Sequence, residues 1–585
     1  MGKDTKQKLG FCEGNKCACL MFLVVVGAIA AVVCVTLLVE DIRDIYDHGE
    51  NNSSLKWWQK TIIYQIYPRS FQDSDGDGIG DLKGIISRLD YFEYIHVDTI
   101  WLSPFFESPM KDFGYDVSNY TAIAKVFGTM EDFDELMKQA KKRGIRVIID
   151  FVPNHSSTEH DWFNRSRHAK DDKDPFWDFY VWNDGITLAN GTRVPPNNWQ
   201  SVFGGPAWEL DSVRDMFYYH AYLTSQADLN YRNPKVLEKI GEVIRFWMTK
   251  GVDGLRIDAI PHLFEAKDTS LNLPEPEPGE GPDLYLYTQN QPEIFDVVKQ
   301  WRKIIDEFGS DRFLLAEAFG ISREDRRKYY EAGSVPFYFQ LIKAKARCCA
   351  TAACLQGIIQ EGLDISGSWP NFVIGNHDNL RIADSMGQKY ADAMNLMLLT
   401  LPGTPTSYYG EELGMKGGDY KGLPPKDPKA ITSGNLNNSR DSERNPMQWN
   451  SSTNAGFTSG SPWLPITKNT DYKNVNVESM KTDNTSSLNL YRRLAEIRQL
   501  PAFRTTNIVF PDKVGKVLVY ERYDDQTSYL IVINVDSSPQ RLDLRAGDIT
   551  TGVRIFSTKS VIEERIELGN VFLQPGEGVI IRMDD

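Results

Sequence analysis

The 585-residue sequence has few cysteines for its length, which excludes a fold held together mainly by disulfides. Seven are present, and four of them lie before residue 40. Only Cys348, Cys349 and Cys354 lie beyond that point, so the rest of the chain must obtain its stability from a hydrophobic core. An odd number of cysteines there leaves one thiol free or paired between chains.

Basic charge is also scarce. Lys and Arg total 65 against 80 for Asp and Glu, which gives a formal net charge of −15. Because nucleic acids are bound through clusters of Lys and Arg on their phosphates, this balance argues against a nucleic-acid partner and suits a soluble extracellular surface. Internal repeats and low-complexity linkers are missing from the sequence, and its length allows roughly two or three domains.

Long apolar runs are rare, and the one at the N-terminus is informative. From Cys17 to Val39 no residue is charged, and this length meets the ~20 residues that a membrane-spanning helix needs. Lysines dominate before the run and acidic residues after it, so the positive-inside rule predicts a single-pass type II protein of the plasma membrane. We expect a cytosolic tail, a signal-anchor, a stalk and an extracellular remainder, over residues 1–16, 17–39, 40–56 and 57–585. A cleaved signal peptide is the alternative, but its apolar stretch would be shorter.

Asn-X-Ser/Thr triplets agree with this orientation. Eight of them lie beyond the apolar run and predict glycosylation at Asn51, Asn52, Asn119, Asn164, Asn190, Asn437, Asn450 and Asn484. Asn154 begins a further triplet, but it lies within a predicted catalytic segment, and we expect it to be buried and bare.

Apolar strands alternate with amphipathic helices along most of the chain. We predict eight such strands, at residues 62–67, 99–102, 147–150, 252–257, 313–316, 335–339, 372–374 and 404–409. This alternation is typical of a parallel sheet covered by helices, and it predicts an α/β fold, a TIM (β/α)8 barrel, over residues 57–154 and 232–500. The stretch between its third and fourth strands is too long for a loop and predicts an inserted subdomain over residues 155–231. Alternating strands near the C-terminus predict an antiparallel β-domain over residues 501–585.

Four segments at predicted strand ends carry the chemistry. They are residues 150–155, 254–259, 315–318 and 375–378, and they contribute Asp258, Glu317 and Asp378 to one end of the barrel, where such folds place their active sites. Cleavage of a glycosidic bond needs a carboxylate that attacks the anomeric carbon, an acid that protonates the leaving oxygen and a group that holds the ring. The set therefore predicts a glycosidase.

These four segments, together with residues 226–230 and 444–449, resemble the α-amylase superfamily of glycoside hydrolases, on its oligo-1,6-glucosidase and maltase branch. The resemblance extends from Trp57 to the C-terminus. It implies that Asp258 is the nucleophile, that Glu317 is the acid and then the base, and that Asp378 stabilises the distorted ring. Arg256, two residues before the nucleophile on the same strand face, would keep Asp258 ionised.

Further contacts to the substrate are implied by the same resemblance. His155 and His377 would assist Asp378, while Asp116 and Arg444 would clamp the terminal glucose and favour exo-cleavage from the chain end. A double displacement predicts retention of the anomeric configuration, with the two carboxyl groups ~5–5.5 Å apart. In this branch the residue after the nucleophile faces the leaving sugar and Val accompanies α-1,6 activity, so Ala259 implies α-1,4 substrates such as maltose and short maltooligosaccharides.

An acidic loop at residues 73–81 offers hard oxygen ligands at alternate positions, as Ca²⁺ prefers. Its opening resembles an EF-hand, but the twelfth position is Gly84 rather than Glu. The family resemblance implies a structural Ca²⁺ held by Asp73, Asp75, Asp77, the Ile79 carbonyl and Asp81. A solvated acidic turn without metal is the alternative.

The layout of a type II anchor and a maltase-like ectodomain also resembles the rBAT-type heavy subunits of heteromeric amino-acid transporters, which chaperone a transporter light chain. Those subunits form an interchain disulfide just outside the membrane, whereas no Cys occurs here from Thr36 until Cys348. They have also lost parts of the catalytic set that this chain retains. We therefore predict a cell-surface α-glucosidase, with the heavy-subunit role as the alternative and both roles compatible in one protein.

The three late cysteines fall on a predicted barrel helix from Leu341 to Ile359. In a continuous helix the Cα atoms of Cys348 or Cys349 would lie roughly 8–9 Å from that of Cys354, beyond the range of a disulfide. Either the helix breaks and closes one local bridge, or the thiols reach a second chain in a homodimer. Free buried thiols in a monomer are a third alternative.

Overall fold

The computed structural model describes residues 55–274, 283–367, 369–511, 515–560 and 563–584. The predicted cytosolic tail, the signal-anchor and nearly all of the stalk lie outside the described residues, as do Asn51 and Asn52. In the ranges that are described, no helix combines the length and the apolar character needed to cross a membrane.

Eight parallel strands form the centre of the fold, and we label them β1 to β8 in chain order. They are Ile63–Ile66, Thr99–Leu102, Arg146–Phe151, Gly254–Ile257, Phe313–Ala316, Val335–Tyr338, Asn371–Phe372 and Thr406–Tyr408. Each strand pairs with its neighbours in sequence, and β1 also pairs with β8. A parallel bridge from Val373 to Thr406 joins the β7 side to β8, which completes the predicted barrel.

Alternate residues along these strands face the barrel interior because successive side chains of a strand point to opposite sides. Ile63, Trp101, Ile148 and Leu315 belong to one buried interior cluster, separate from the larger core between strands and helices. Two residues after these interior positions, at the carboxyl end of the barrel, the inward-facing side chains are polar. Strand periodicity alone thus turns Gln65, Asp150 and Glu317 towards a common centre.

Amphipathic helices cover the outside of the barrel. They begin at side-chain caps such as Thr129, which forms a capping box with Asp132, and Asn233, which accepts from the Lys235 backbone N–H. Within the described ranges, the α-helices are Trp57–Lys60, Pro68–Phe71, Leu82–Ser87, Leu89–Tyr94, Met130–Lys142, Asp161–His168, Pro234–Thr249, Ile294–Asp306, Arg323–Glu331, Ala344–Cys348, Ala352–Ser366, Ala391–Thr400, Pro428–Ser433, Val477–Lys481 and Ser487–Ile497.

The predicted insertion after β3 contains small antiparallel sheets. Strand His155–Ser157 pairs with Gln226–Asp228 as the chain leaves and rejoins the barrel. Between them lie Trp182–Asn183, Ile186–Thr187, Arg193–Val194, Trp208–Asp211 and Met216–Tyr219. Trp199, Trp208 and Tyr219 pack into a small core of their own, which explains the aromatic content of this stretch. A further short pair, Phe106–Glu107 with Asn119–Ile123, lies after β2.

An antiparallel sheet lies near the C-terminus, as the alternating pattern predicted, and it has six strands. They are Ile508–Val509, Val517–Tyr523, Ser528–Asn534, Thr551–Ser557, Glu564–Glu567 and Gly578–Met583, and Gln540–Leu542 pairs separately with Val571–Leu573. Buried Arg522 links this sheet to the barrel, because its guanidinium donates to the carbonyls of Thr400, Ala502 and Thr505. These bonds satisfy a charge that is otherwise costly to bury.

The continuous helix predicted from Leu341 to Ile359 is wrong. Two helices occupy this stretch, and they are separated at Cys349 and Ala350, whose φ angles of 56° and 51° lie in the left-handed region. The break brings the Cα atoms of Cys348 and Cys354 to 6.3 Å, and a disulfide joins them. Cys349 keeps a free, exposed thiol, so the structure corresponds to the alternative of one local bridge.

Candidate active site

A cavity of about 260 Å³ opens at the carboxyl ends of the barrel strands. Asp258 follows β4 directly and Glu317 follows β5, while Asp378 and His155 come shortly after β7 and β3. All four line this cavity with His377, together with residues to which the sequence analysis assigned no role. Those lining residues are Asp112, Tyr115, Val202, Phe203, Tyr222, Gln226, Phe319, Phe339, Ile342, Lys343, Asn376, Asn379, Lys429 and Arg440.

Arg256 is the centre of the charged network at the base of the cavity. Its Nη1 lies 2.8 Å from Asp150 Oδ1 and 2.5 Å from Asp258 Oδ1, and its Nη2 lies 2.7 Å from Glu317 Oε1. The guanidinium is buried, with its Cζ 5.1 Å from the Trp101 ring centroid. One planar cation thus holds the two carboxylates predicted for nucleophile and acid side by side, with a geometry that a flexible Lys could not provide.

The protonation of this carboxylate pair is set by burial and by Arg256. Burial raises the pKa of Glu317 to about 8 against the opposing charge of Arg256, with further upward shifts from the neighbouring Asp258 and Asp378 carboxylates. Burial also raises the pKa of Asp258, and Arg256 opposes that rise. Two adjacent buried carboxyls cannot both ionise easily, so the pair favours a single shared charge near neutral pH.

The backbone after Asp258 also contributes to this arrangement. Ala259 has a φ of 48°, and its backbone N–H donates to Glu317 Oε2 over 3.0 Å. Its side chain is buried and is not among those lining the cavity, so the structure does not place it against a leaving sugar. The left-handed backbone at this position instead links the two predicted catalytic residues.

Basic side chains surround Asp378. Its Oδ1 lies 2.8 Å from Arg440 Nη1 and 3.0 Å from Arg444 Nη2, and its Oδ2 lies 3.4 Å from His377 Nε2. Burial alone would raise the pKa of Asp378, but these neighbouring groups hold it well below its usual range. The pKa of Asp378 is thus lowered while that of Glu317 is raised, so one site holds a charged carboxylate beside a protonated carboxylic acid.

Two histidines on the cavity wall are neutral. Burial lowers the pKa of His155 to about 4 and that of His377 to about 3. The ring of His377 lies 2.6 Å from the Tyr115 hydroxyl and 2.8 Å from Gln65 Nε2, which fixes its orientation. Both ring nitrogens of His377 therefore have protein partners, and the neutral ring holds Tyr115 and Gln65 in place without adding charge to the wall.

The structure does not bring Asp116 into the cavity, contrary to the sequence interpretation. Its carboxylate is fully buried and accepts from Ser108 Oγ, Lys111 N and Asp112 N at 2.8, 2.9 and 2.9 Å. Asp112 occupies the wall instead, where Gln226 Nε2 donates to its Oδ2 over 3.0 Å. Positive φ angles at Phe113 and Gly114 turn the chain between the two aspartates, and spacing alone could not decide which of them faces the cavity.

Arg444 likewise lies behind the cavity wall. It is buried, and it donates to the His377 carbonyl over 2.8 Å and to Asp378, so it positions these residues. Arg440 is the arginine that lines the cavity, with Nη2 2.7 Å from Asp427 Oδ1 and 3.8 Å from Asp112 Oδ1. Arg440 precedes the predicted motif by four residues, and nothing in its immediate sequence marked it.

The acidic loop gathers three of its predicted ligands. One carboxylate oxygen from each of Asp73, Asp75 and Asp81 lies within 4.8 Å of the others. Asp77 lies outside this cluster and accepts from the Ile79 backbone N–H over 2.7 Å. Burial raises the pKa of Asp77, and the neighbouring carboxylates raise it further. A hard divalent cation fits this loop, because it would offset the mutual repulsion of these oxygens.

The predicted glycosylation sites within the described residues lie on the surface. Asn164, Asn190, Asn437 and Asn484 are exposed, while Asn119 and Asn450 are half-buried. Asn154 is buried, and its amide donates to Asp228 Oδ2 over 2.8 Å. This contact leaves no room for a glycan at Asn154.

Known proteins are similar to this chain over most of its length. Residues 65–505 match the family described as the α-amylase catalytic domain. The chain is 41% identical over 521 residues to maltase A1 of Drosophila melanogaster, covering 84% of this chain and 89% of that protein. It is 38% identical over 563 residues to the amino acid transporter heavy chain SLC3A1 of Rattus norvegicus, covering 90% and 78%. The solved structure of trehalulose synthase MutB from Pseudomonas mesoacidophila is 32% identical, with a TM-score of 0.81, covering 91% of this chain and all of that chain.

Proposed function

Because the chain belongs to the α-amylase catalytic-domain family and is a glycoside hydrolase, we propose that it is a retaining, exo-acting α-glucosidase. Its proposed substrates are maltose and short maltooligosaccharides with α-1,4 linkages. The observation that carries the proposal is the Arg256 guanidinium bound to both Asp258 and Glu317. Relatives named maltase and α-glucosidase support the same substrate class.

The proposed reaction is a double displacement. Asp258 attacks the anomeric carbon while protonated Glu317 gives its proton to the leaving oxygen, which forms a glucosyl ester on Asp258. Glu317, now ionised, takes a proton from water as that water attacks the same carbon, and glucose leaves with its α configuration. Asp378 remains charged throughout, so it can stabilise the oxocarbenium-like transition state electrostatically.

Charged groups on the buried wall of the cavity support attack at the chain end. Asp112, which Gln226 holds, and Arg440, which Asp427 holds, present charged groups where the terminal glucose hydroxyls would lie. A direct test is to assay the full-length protein in detergent on maltose, isomaltose and sucrose. We expect the highest kcat/KM on maltose, whereas preference for isomaltose would contradict the α-1,4 assignment.

Replacing Asp112 by Asn is expected to lower kcat/KM on maltose by about 10- to 100-fold, because a charged acceptor of sugar hydroxyls is lost. Asp116→Asn is the matched comparison, since it removes a carboxylate only four residues away that lies behind the wall. That variant should lower Tm, because three donors lose their charged acceptor. Equal kcat/KM for Asp112→Asn and the unmodified protein, with both folded, would remove Asp112 from the substrate clamp.

We also propose that the acidic loop binds one structural Ca²⁺ through Asp73, Asp75 and Asp81. The ion would stabilise the segment that follows β1, since Asp81 also caps helix Leu82–Ser87 by accepting from Gly84 N. No step of the reaction requires it.

Removal of calcium by EDTA is expected to lower Tm by roughly 3–5 °C, because an ion bound only to the folded state stabilises it by mass action. The Asp73→Asn variant should lose this response, whereas Asp525→Asn, an exposed change in the C-terminal sheet domain, should keep it. An unchanged Tm with EDTA, together with no metal by elemental analysis, would refute the calcium site.

The proposed location is the plasma membrane, with residues 17–39 as the anchor and the hydrolase domain outside. The uncharged run and the surface positions of the glycosylation triplets support it. Two measurements would test this topology. An impermeant amine reagent should label the protein on intact cells, and removal of N-glycans by a glycosidase should increase its mobility on a gel. The transporter heavy-chain relative supports a second role with a light chain, which affinity purification from membranes under mild detergent would reveal.

The exposed Cys349 thiol supports a covalent homodimer as a further proposal. A dimer band that disappears with reductant on a non-reducing gel is the expected result. Migration as a monomer under both conditions would exclude the covalent form.

A further inference from the structure

The cavity has two chemically different ends. Its inner wall is formed by buried polar groups, among them Asp112, His155 and His377. Its outer wall is more accessible and largely apolar, with half-buried Val202, Phe319, Phe339 and Ile342. Because the proposed nucleophile and acid lie between the buried end and the opening, the outer wall is where a leaving group would rest.

Two lysines belong to this outer wall. Lys343 is exposed and follows β6, and Lys429 is half-buried on the helix Pro428–Ser433. Within the described part of the chain, neither ammonium group has an ion-pair or hydrogen-bond partner. Asp427, two residues before Lys429, is already bound to Arg440. Both ammonium groups are therefore available to a ligand.

The carboxylates deeper in the cavity already have basic partners. Asp258 and Glu317 share Arg256, and Asp378 is bound by Arg440 and Arg444. Each of these carboxylates thus already has a guanidinium partner, whereas the ammonium groups of Lys343 and Lys429 have none among the described residues. Although the whole chain is acidic, these two unpaired positive charges can attract an anion to the opening.

We propose that Lys343 and Lys429 select α-glucosides whose leaving group carries a negative charge beside an apolar body. This inference rests on the proposed hydrolase function and names its substrate class more closely. A carboxylate or phosphate on the leaving group would meet the ammonium groups, and its carbon skeleton would pack on Phe319 and Phe339.

Maltobionate and maltitol form a matched pair of probes. Each is glucose joined α-1,4 to an open-chain sugar, and they differ only in a terminal carboxylate against a hydroxymethyl group. For the full-length protein at low ionic strength, the ratio of kcat/KM for maltobionate to that for maltitol should exceed one, by about fivefold for each lysine engaged. Added salt should lower the ratio, because screening weakens exposed charge pairs.

Lys343→Gln and Lys429→Gln should each lower this ratio, and the double variant should bring it to one or below. Lys345→Gln and Lys426→Gln remove the same charge from nearby exposed positions outside the cavity lining and should leave the ratio unchanged. The inference is overturned if the maltobionate-to-maltitol ratio is one or less for the unmodified protein, or if a ratio above one remains in the double variant. Cleavage of maltose in the same experiment would show that the proposed hydrolase function still holds. A folded protein that cleaves none of these sugars overturns both.

Discussion

Asp258→Asn is expected to lower kcat on maltose by about 10⁴-fold or more, because the covalent step loses its nucleophile. The substitution keeps the side-chain volume and leaves Arg256 bound to Asp150 and Glu317, so the fold should be retained. The measurement is single-turnover and steady-state kinetics beside a thermal melt. Asp525→Asn, an exposed change of the same kind, is the control and should show normal kcat.

External rescue distinguishes a nucleophile from a structural carboxylate. Asp258→Gly would leave space for a small anion such as azide, which should restore turnover of p-nitrophenyl α-glucoside and give the β-glucosyl azide. Turnover by Asp258→Asn at the unmodified rate would remove Asp258 from the nucleophile role.

Glu317→Gln is expected to lower kcat on maltose by about 10³-fold, since the leaving oxygen no longer receives a proton. α-Glucosyl fluoride needs no such proton, so its first step should survive while the second step, which needs a base, remains slow. A glucosyl adduct on Asp258 should then accumulate and be detectable by peptide mass spectrometry. Equal losses on both substrates, with no adduct, would contradict the acid–base role.

The pH profile gives a separate readout of Glu317. Burial raises its pKa to about 8, so the protonated, active form is present below that value and is lost as the pH rises through it. The alkaline limb of kcat/KM should therefore fall near pH 8, and it should disappear in Glu317→Gln, which cannot titrate. Protonation of Asp258 would form the acidic limb, which should persist in that variant.

Much of the fold followed from hydrophobic periodicity. The predicted second and fifth strands match Thr99–Leu102 and Phe313–Ala316 residue for residue, because a strand buried on both faces is a continuous apolar run bounded by polar residues. A helix break near the cysteines was one of the alternatives left open, and the sequence could not select it, because the left-handed residues at the break are not glycines. The family resemblance is confirmed by the match over residues 65–505.

The site was predictable where it depends on strand alternation and unpredictable where it depends on loops. Asp258 and Glu317 immediately follow strands, so their direction is fixed by the backbone of the barrel. Asp112 and Arg440 lie in connecting segments, and the turns of those segments orient them. The sequence contains two nearby aspartates and two nearby arginines, and it does not show which of each pair faces the cavity. Their placement depends on backbone torsions and on distant partners such as Gln226.

The configuration of the first glucose released tests the central claim most directly. Maltitol is the suitable substrate, because every glucose that appears then comes from the cleaved bond, and proton NMR in the first minutes separates the anomers before they interconvert. A double displacement through Asp258 and Glu317 predicts that α-glucose appears first and that β-glucose follows only by mutarotation. Initial release of β-glucose, or no release by the folded protein, would contradict a retaining α-glucosidase.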